Sequence, residues 1–236
     1  MSRLYLIRHG QASFGARDYD VLSDLGAEQA RCLGRAWAGS GRPLDGLYAG
    51  PRRRHVDTAR HFRDGAAAAG VDYPAAQPAP ALDEFPAFEL LARCAPALVA
   101  EDPELQALFS ARDRRKKHQL FEKAFQLLMT RWVSGDLDTG DLETYAHFHT
   151  RVRQGLRQLI EENGRGRSIA LFTSGGPICM ALQWSLALPD QTAVEQMWVV
   201  GNGSVSEFRY RDKDGITLVR FNEMGHLTDP SLITYR

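Results

Sequence analysis

Four short stretches of the 236-residue chain hold side chains whose types and spacing could do chemistry. Arg8, His9 and Gly10 stand near the start; Arg52, Arg53, Arg54 and His55 follow a second apolar run; Asp83 and Glu84 are adjacent acids; Thr173, Ser174, Gly175 and Gly176 interrupt a long uncharged stretch. Guanidinium forks match phosphate oxygens in pairs, glycine lets backbone N–H groups approach an anion, and a helix opening at a glycine turn adds a favourable dipole. An imidazole among arginines tends to be neutral, because nearby positive charge disfavours imidazolium. Neutral imidazole is a nucleophile, so His9 is the candidate to attack phosphorus and carry a phosphoryl group. The departing alkoxide then needs a proton. Glu84 beside bound phosphate is the candidate donor, since neighbouring negative charge raises a carboxyl pKa; Asp83 and Glu89 are the alternative acids.

The elements that must position these groups are legible in the apolar pattern. Leu4–Ile7 reads as a strand, followed by a loop through Gly15 and by Ser23, an N-cap for a helix toward Gly39 with Ala30, Leu33 and Trp37 on one stripe. Gly46–Ala49 reads as a second strand entering a helix near Pro51, and Ala79–Asp83 as a third strand. Helical spacing of Phe121, Phe125, Leu128 and Trp132 predicts mostly helix from Pro103 to Val133, stopped at Gly135. A further helix runs from Glu143 to Asn163, then a strand over Ser168–Phe172 and a helix over Pro177–Leu188. Val205–Tyr210 and Ile216–Asn222 form a hairpin through Asp212 to Gly215. Strands alternating with helices predict a three-layer, doubly wound α/β domain: a mainly parallel sheet with helices on both faces. The whole chain, 1–236, reads as one such domain with a helical insertion, or lid, over about 86–138. Ligands of such sheets bind beyond the carboxyl ends of the strands, where all four polar stretches fall.

Composition narrows the partners. Lys plus Arg and Asp plus Glu each number 29, so no overall charge draws the chain to nucleic acid or an anionic membrane, and neither is expected as a partner. Residues 168–188 carry no charge, but Gly175-Gly176-Pro177 would break a bilayer span, which points to a buried strand, a turn and a buried helix. Cys32, Cys94 and Cys179 are scattered with no Cys-x-x-Cys pair, and the first apolar run is too brief for a signal peptide, so a reduced, cytoplasmic location is expected. His147 and His149, two apart on a helix, diverge, so no metal is expected, and no cofactor. The basic run 112–117 reads as a solvated helix face and the Phe121–Trp132 stripe as core or a subunit interface; a homo-oligomer is compatible with the latter.

The ordered set resembles the histidine phosphatase superfamily, also called phosphoglycerate mutase-like. The signature is Leu6-Ile7-Arg8-His9-Gly10 after the first strand. Leu22-Ser-Asp-Leu-Gly26 with Gln29-Ala30, and Gly50-Pro-Arg-Arg-Arg54-His-Val-Asp-Thr58-Ala59, are similar to the family's next segments. Leu82-Asp-Glu84 resembles the segment carrying the acid, and Glu143-Thr-Tyr145, Arg151, Asn202 and Asn222 through Leu227 resemble later ones. The resemblance covers most of the chain except about 86–138. It implies that His9 is phosphorylated, that Arg8 and Arg54 hold phosphate, and that Glu84 gives the proton.

The implied activity is hydrolysis of a small phosphorylated metabolite. The alternatives are a mutase-like phosphotransferase and a weakened phospho-ligand binding or regulatory protein. In the family a second histidine usually lies in Ser-His-Gly-Gly after the fourth strand; here the order is Thr173-Ser174-Gly175-Gly176. Ser174 and Gly175 then line the phosphate with neutral donors. His55, His226 or an arginine of the insertion are the candidates to restore the positive charge. The asparagine often found soon after Arg-His-Gly is absent, which weighs against mutase-type contacts.

Overall fold

The computed structural model describes residues 2–13, 20–109 and 113–235; the expected loop through Gly15, and Arg112 of the basic run, lie outside them. The chain divides into two compact units, Met1–Glu84 with Arg151–Arg236, and Phe85–Thr150.

In the first unit, six strands among the described residues form one mixed sheet: β1 (Ser2–Arg8), β2 (Gly46–Ala49), β3 (Gln77–Pro78), β4 (Ser168–Thr173), β5 (Val205–Asp212) and β6 (Gly215–Glu223), in the order β3-β2-β4-β1-β5-β6. The first four strands in that order run parallel, β5 runs antiparallel to β1, and β6 antiparallel to β5. Alternation along the strands divides the core. Tyr5, Ile7, Leu47, Ala49, Ala170 and Phe172 face α1 (Asp24–Gly39) and α2 (Arg53–Ala68) through Leu33, Trp37, Ala59 and Phe62. On the opposite face Tyr48 reaches Asn163 at the end of α5 (Tyr145–Asn163), and α6 (Gly175–Leu186) packs on β1 and β6. The sheet is thus covered on both sides, as an α/β fold requires. α1 and α2 approach closely where each offers a glycine: a Cβ on Gly34 would sit 2.0 Å from the Phe62 carbonyl oxygen, and one on Gly65 2.2 Å from that of Arg31.

The uncharged stretch is the buried strand β4 followed by the buried start of α6, as its pattern predicts. α6 opens at Gly175, two residues before the expected Pro177. The third strand expected at Ala79–Asp83 is not there. β3 is a two-residue strand just before it, and Pro80–Leu82 is a 3-10 turn. Proline cannot donate to a ladder yet suits the first position of a helical turn, so Pro78 and Pro80 shorten the strand. The turn is held by α5, whose Arg151 Nη1 donates to the carbonyls of Ala81 at 2.9 Å and Asp83 at 3.2 Å.

The second unit contains α3 (Ala87–Glu101), a 3-10 segment over Pro103–Phe109 and α4 (Arg114–Ser134). Asp113 caps α4, and Gly135 ends it at φ 81°, a conformation that favours glycine. Its core is aromatic: Phe85 stacks on Trp132 with centroids 4.6 Å apart, and Trp132 meets Tyr145 edge-on at 5.3 Å. No helix of the described residues is long and apolar enough to cross a membrane.

Candidate active site

Sheet order brings three chain segments to one point. Arg8 is in register with Thr173 and Ala49 with Phe172, so the residues just beyond those strand ends, His9, Gly50 and Ser174, emerge side by side. Two hydrogen bonds extend the ladder past the strands, from His9 N to Thr173 O at 2.8 Å and from Gly50 N to Phe172 O at 2.9 Å.

His9 is buried, with Nδ1 2.7 Å from the Gly10 carbonyl oxygen. A carbonyl can only accept, so Nδ1 carries the proton and the lone pair is on Nε2. Burial is the first cause that pushes the His9 pKa well below the ordinary imidazole value, followed by the charges of Arg54 and Arg8 and by His55. The neighbouring arginines expected to keep the ring neutral do so, but desolvation leads. Gly10 is required as glycine, because a Cβ there would meet the Gly26 carbonyl oxygen at 2.2 Å, and its N–H donates to Thr58 Oγ1 at 3.1 Å.

Arg54 lies in the first turn of α2, nearly buried, with Nη1 2.7 Å from Asp20 Oδ1. Asp20 also accepts from the Arg53 N–H at 2.8 Å. Arg8 Nη1 donates to the backbone carbonyls of Val200 and, at 2.9 Å, Tyr235. Both guanidinium groups therefore act electrostatically on His9 while anchored to neighbouring chain.

The adjacent acids have different partners. Asp83 is held by Arg52 Nε at 2.7 Å and accepts from the Glu84 N–H at 2.7 Å. Glu84 Oε2 instead accepts the N–H of Gly176 in the first turn of α6, at 3.0 Å. Glu89, the other alternative acid, belongs to α3 in the second unit.

Ser174 is the buried N-cap residue of α6, with Oγ 2.6 Å from His55 Nε2. Gly175 opens the helix, and a Cβ there would approach nothing closer than the Met197 carbonyl oxygen at 3.9 Å, so space alone does not demand a glycine. The His55 ring is fully buried, its centroid 5.7 Å from that of His9. His226, another candidate for the missing charge, has its pKa driven by burial to about 4 and is neutral near pH 7. Among the described residues no group of three or more His, Cys, Asp and Glu could hold a metal ion.

Sequence reasoning missed Asp20, which no motif marks and which reaches Arg54 across 34 residues of chain. It also missed the pairing of His55 with Ser174, although it named both.

The sequence profile of the histidine phosphatase superfamily (branch 1) matches residues 4–117 and 87–224. This chain belongs to that superfamily. No curated protein sequence matches it. Solved structures share the fold at low identity. A phosphoserine phosphatase mutant from Entamoeba histolytica in complex with phosphoserine is 20% identical with TM-score 0.62, covering 96% of this chain and 100% of that one. Phosphoglycerate mutase from Bacillus anthracis is 16% identical with TM-score 0.64, covering 96% and 95%. The mycobacterial glucosyl-3-phosphoglycerate phosphatase with inorganic phosphate is 18% identical with TM-score 0.58, covering 96% and 99%.

Proposed function

We propose that the protein is a phosphoric monoester hydrolase that removes phosphate from a small phosphorylated metabolite through a phosphohistidine on His9. The observation that carries this reading is the Nδ1 to Gly10 hydrogen bond, which leaves a nucleophilic lone pair on Nε2 of a buried, neutral ring under the field of Arg8 and Arg54. Nε2 attacks phosphorus, a P–N bond forms and the P–O bond to the leaving group breaks, with Glu84 delivering its proton to that oxygen. Water then attacks phosphorus, Glu84 takes the proton back, and the P–N bond breaks to release phosphate. Arg8, Arg54, Ser174 and Gly175 serve the phosphoryl oxygens, and the chain is a variant with Ser174 where relatives usually carry a second histidine. No step calls on a metal or cofactor. The phosphatases among the similar structures favour hydrolysis, and the missing asparagine weighs against mutase chemistry. Three free cysteines support a reducing, cytoplasmic setting.

The test is hydrolysis of p-nitrophenyl phosphate with an alkaline quench. Wild type should turn over and carry label on His9, and His9→Ala should lose both. Label on another residue, or brisk turnover in His9→Ala, overturns the reading; tight phosphate binding without turnover favours a binding or regulatory protein.

A further inference from the structure

Resting on the phosphatase reading, we propose that His55 is a positioning residue that aims the Ser174 hydroxyl at the phosphoryl group on His9.

Ser174 occupies the N-cap of α6, where a serine hydroxyl ordinarily accepts a backbone N–H from the first turn. Here it makes no such capping bond among the described residues, and the N–H of Gly176 goes to Glu84 instead. The hydroxyl is directed to His55, 2.6 Å away, in a buried pair drawn from two separate elements. Room for that ring is built into the turn after β2: a Cβ on Gly50 would lie 2.4 Å from His55 Nδ1.

The direction of the hydrogen bond follows from which nitrogen has a partner. Nδ1 is buried beside Gly50, whose backbone favours a proton on the ring but makes no hydrogen bond of acceptable geometry to it, whereas Nε2 faces the Ser174 oxygen at 2.6 Å. Burial and the charges of Arg54 and Arg52 keep the ring neutral, so it has one proton to place. A bare ring nitrogen tolerates burial better than an orphaned N–H, which assigns the proton to Nε2. Ser174 Oγ is then the acceptor, and its own hydrogen must turn elsewhere. The His9 and His55 rings lie 5.7 Å apart, and the proposal places the oxygens of a phosphoryl group on His9 beside this pair. His55 would therefore orient a neutral donor for the transferring group, as a link between α2 and the head of α6.

The experiment is a double-mutant cycle read both by p-nitrophenyl phosphate turnover and by binding of inorganic phosphate. Ser174→Ala and His55→Ala should each lower kcat on the order of 10-fold, for one hydrogen bond lost in the transition state. The double variant should fall no further, because both changes delete one donor. His55→Gln, whose amide N–H can still donate to Ser174, should recover most of the rate, and it serves if His55→Ala does not fold. Full activity in Ser174→Ala or in a folded His55→Ala overturns the proposal, as do additive losses or a His55→Gln rate no better than His55→Ala. If wild type hydrolyses nothing yet phosphate affinity drops equally and non-additively in both single variants, the pair stands and the phosphatase reading falls. If phosphate affinity is then unchanged, both fall.

Discussion

Arg54 Nη1 and Asp20 Oδ1 lie 2.7 Å apart, so the guanidinium expected to grip phosphate already holds a carboxylate. Asp20 is 36% exposed, and a pair with one partner so wet contributes about 0.2–1 kcal/mol. Asp20→Asn removes the competing negative charge and should tighten competitive inhibition by inorganic phosphate up to about fivefold. Weaker inhibition in the variant would mean that Asp20 orients Arg54 for the anion instead of competing with it.

Glu84 should matter in proportion to the leaving group's need for a proton. In Glu84→Gln the amide oxygen can still accept from Gly176 N–H, but the side chain can no longer exchange a proton. The kcat/KM for an alkyl phosphate should drop about 100-fold or more, while that for p-nitrophenyl phosphate, whose leaving group departs without protonation, should lose far less. Equal losses on the two substrates, measured as kcat/KM, which reports only as far as formation of the phosphoenzyme, would remove Glu84 from the donor role.

Glycine to alanine inside a helix ordinarily stabilises by up to about 1 kcal/mol. At Gly34 the sign should reverse, because the added Cβ would stand 2.0 Å from a backbone oxygen of α2. A loss of about 3 kcal/mol is expected in urea unfolding, from forced separation of α1 and α2. A neutral or stabilising outcome would show that the two helices can part without cost.

His226 gives a pH dependence of stability. Its Nε2 is buried with no hydrogen-bond partner among the described residues, and burial holds its pKa at about 4. The unfolded chain, with histidine near the usual value of about 6.5, binds the proton more readily, so the stability tied to the neutral ring is present above that value and lost as pH falls toward 4. By about pH 5 the loss from this ring should reach about 2 kcal/mol, and His226→Gln should show a correspondingly flatter decline in unfolding free energy between pH 7 and 5. Parallel declines in variant and wild type would place the acid sensitivity elsewhere, first in buried His9 and His55, whose pKa values burial also lowers.

Much of this protein is written locally. The short apolar run ending in Arg8-His9-Gly10, the stripes of α1 and α5, and the stop at Gly135 depend on residues a few positions apart, and near-neighbour chemistry suffices to read them. The strand predicted at Ala79–Asp83 failed because two prolines outweighed a weak apolar pattern. The ends of β1, β2 and β4, with the polar residues that follow them, were likewise legible as neighbours, because a parallel sheet collects its carboxyl ends. What those side chains do to one another was decided by tertiary structure. Arg54 finds Asp20 across 34 residues, Glu84 finds Gly176 across 92 and His55 finds Ser174 across 119. Hydrogen bonds form between atoms about 3 Å apart in space, and only the folded order β2-β4-β1 brings such distant positions within that reach.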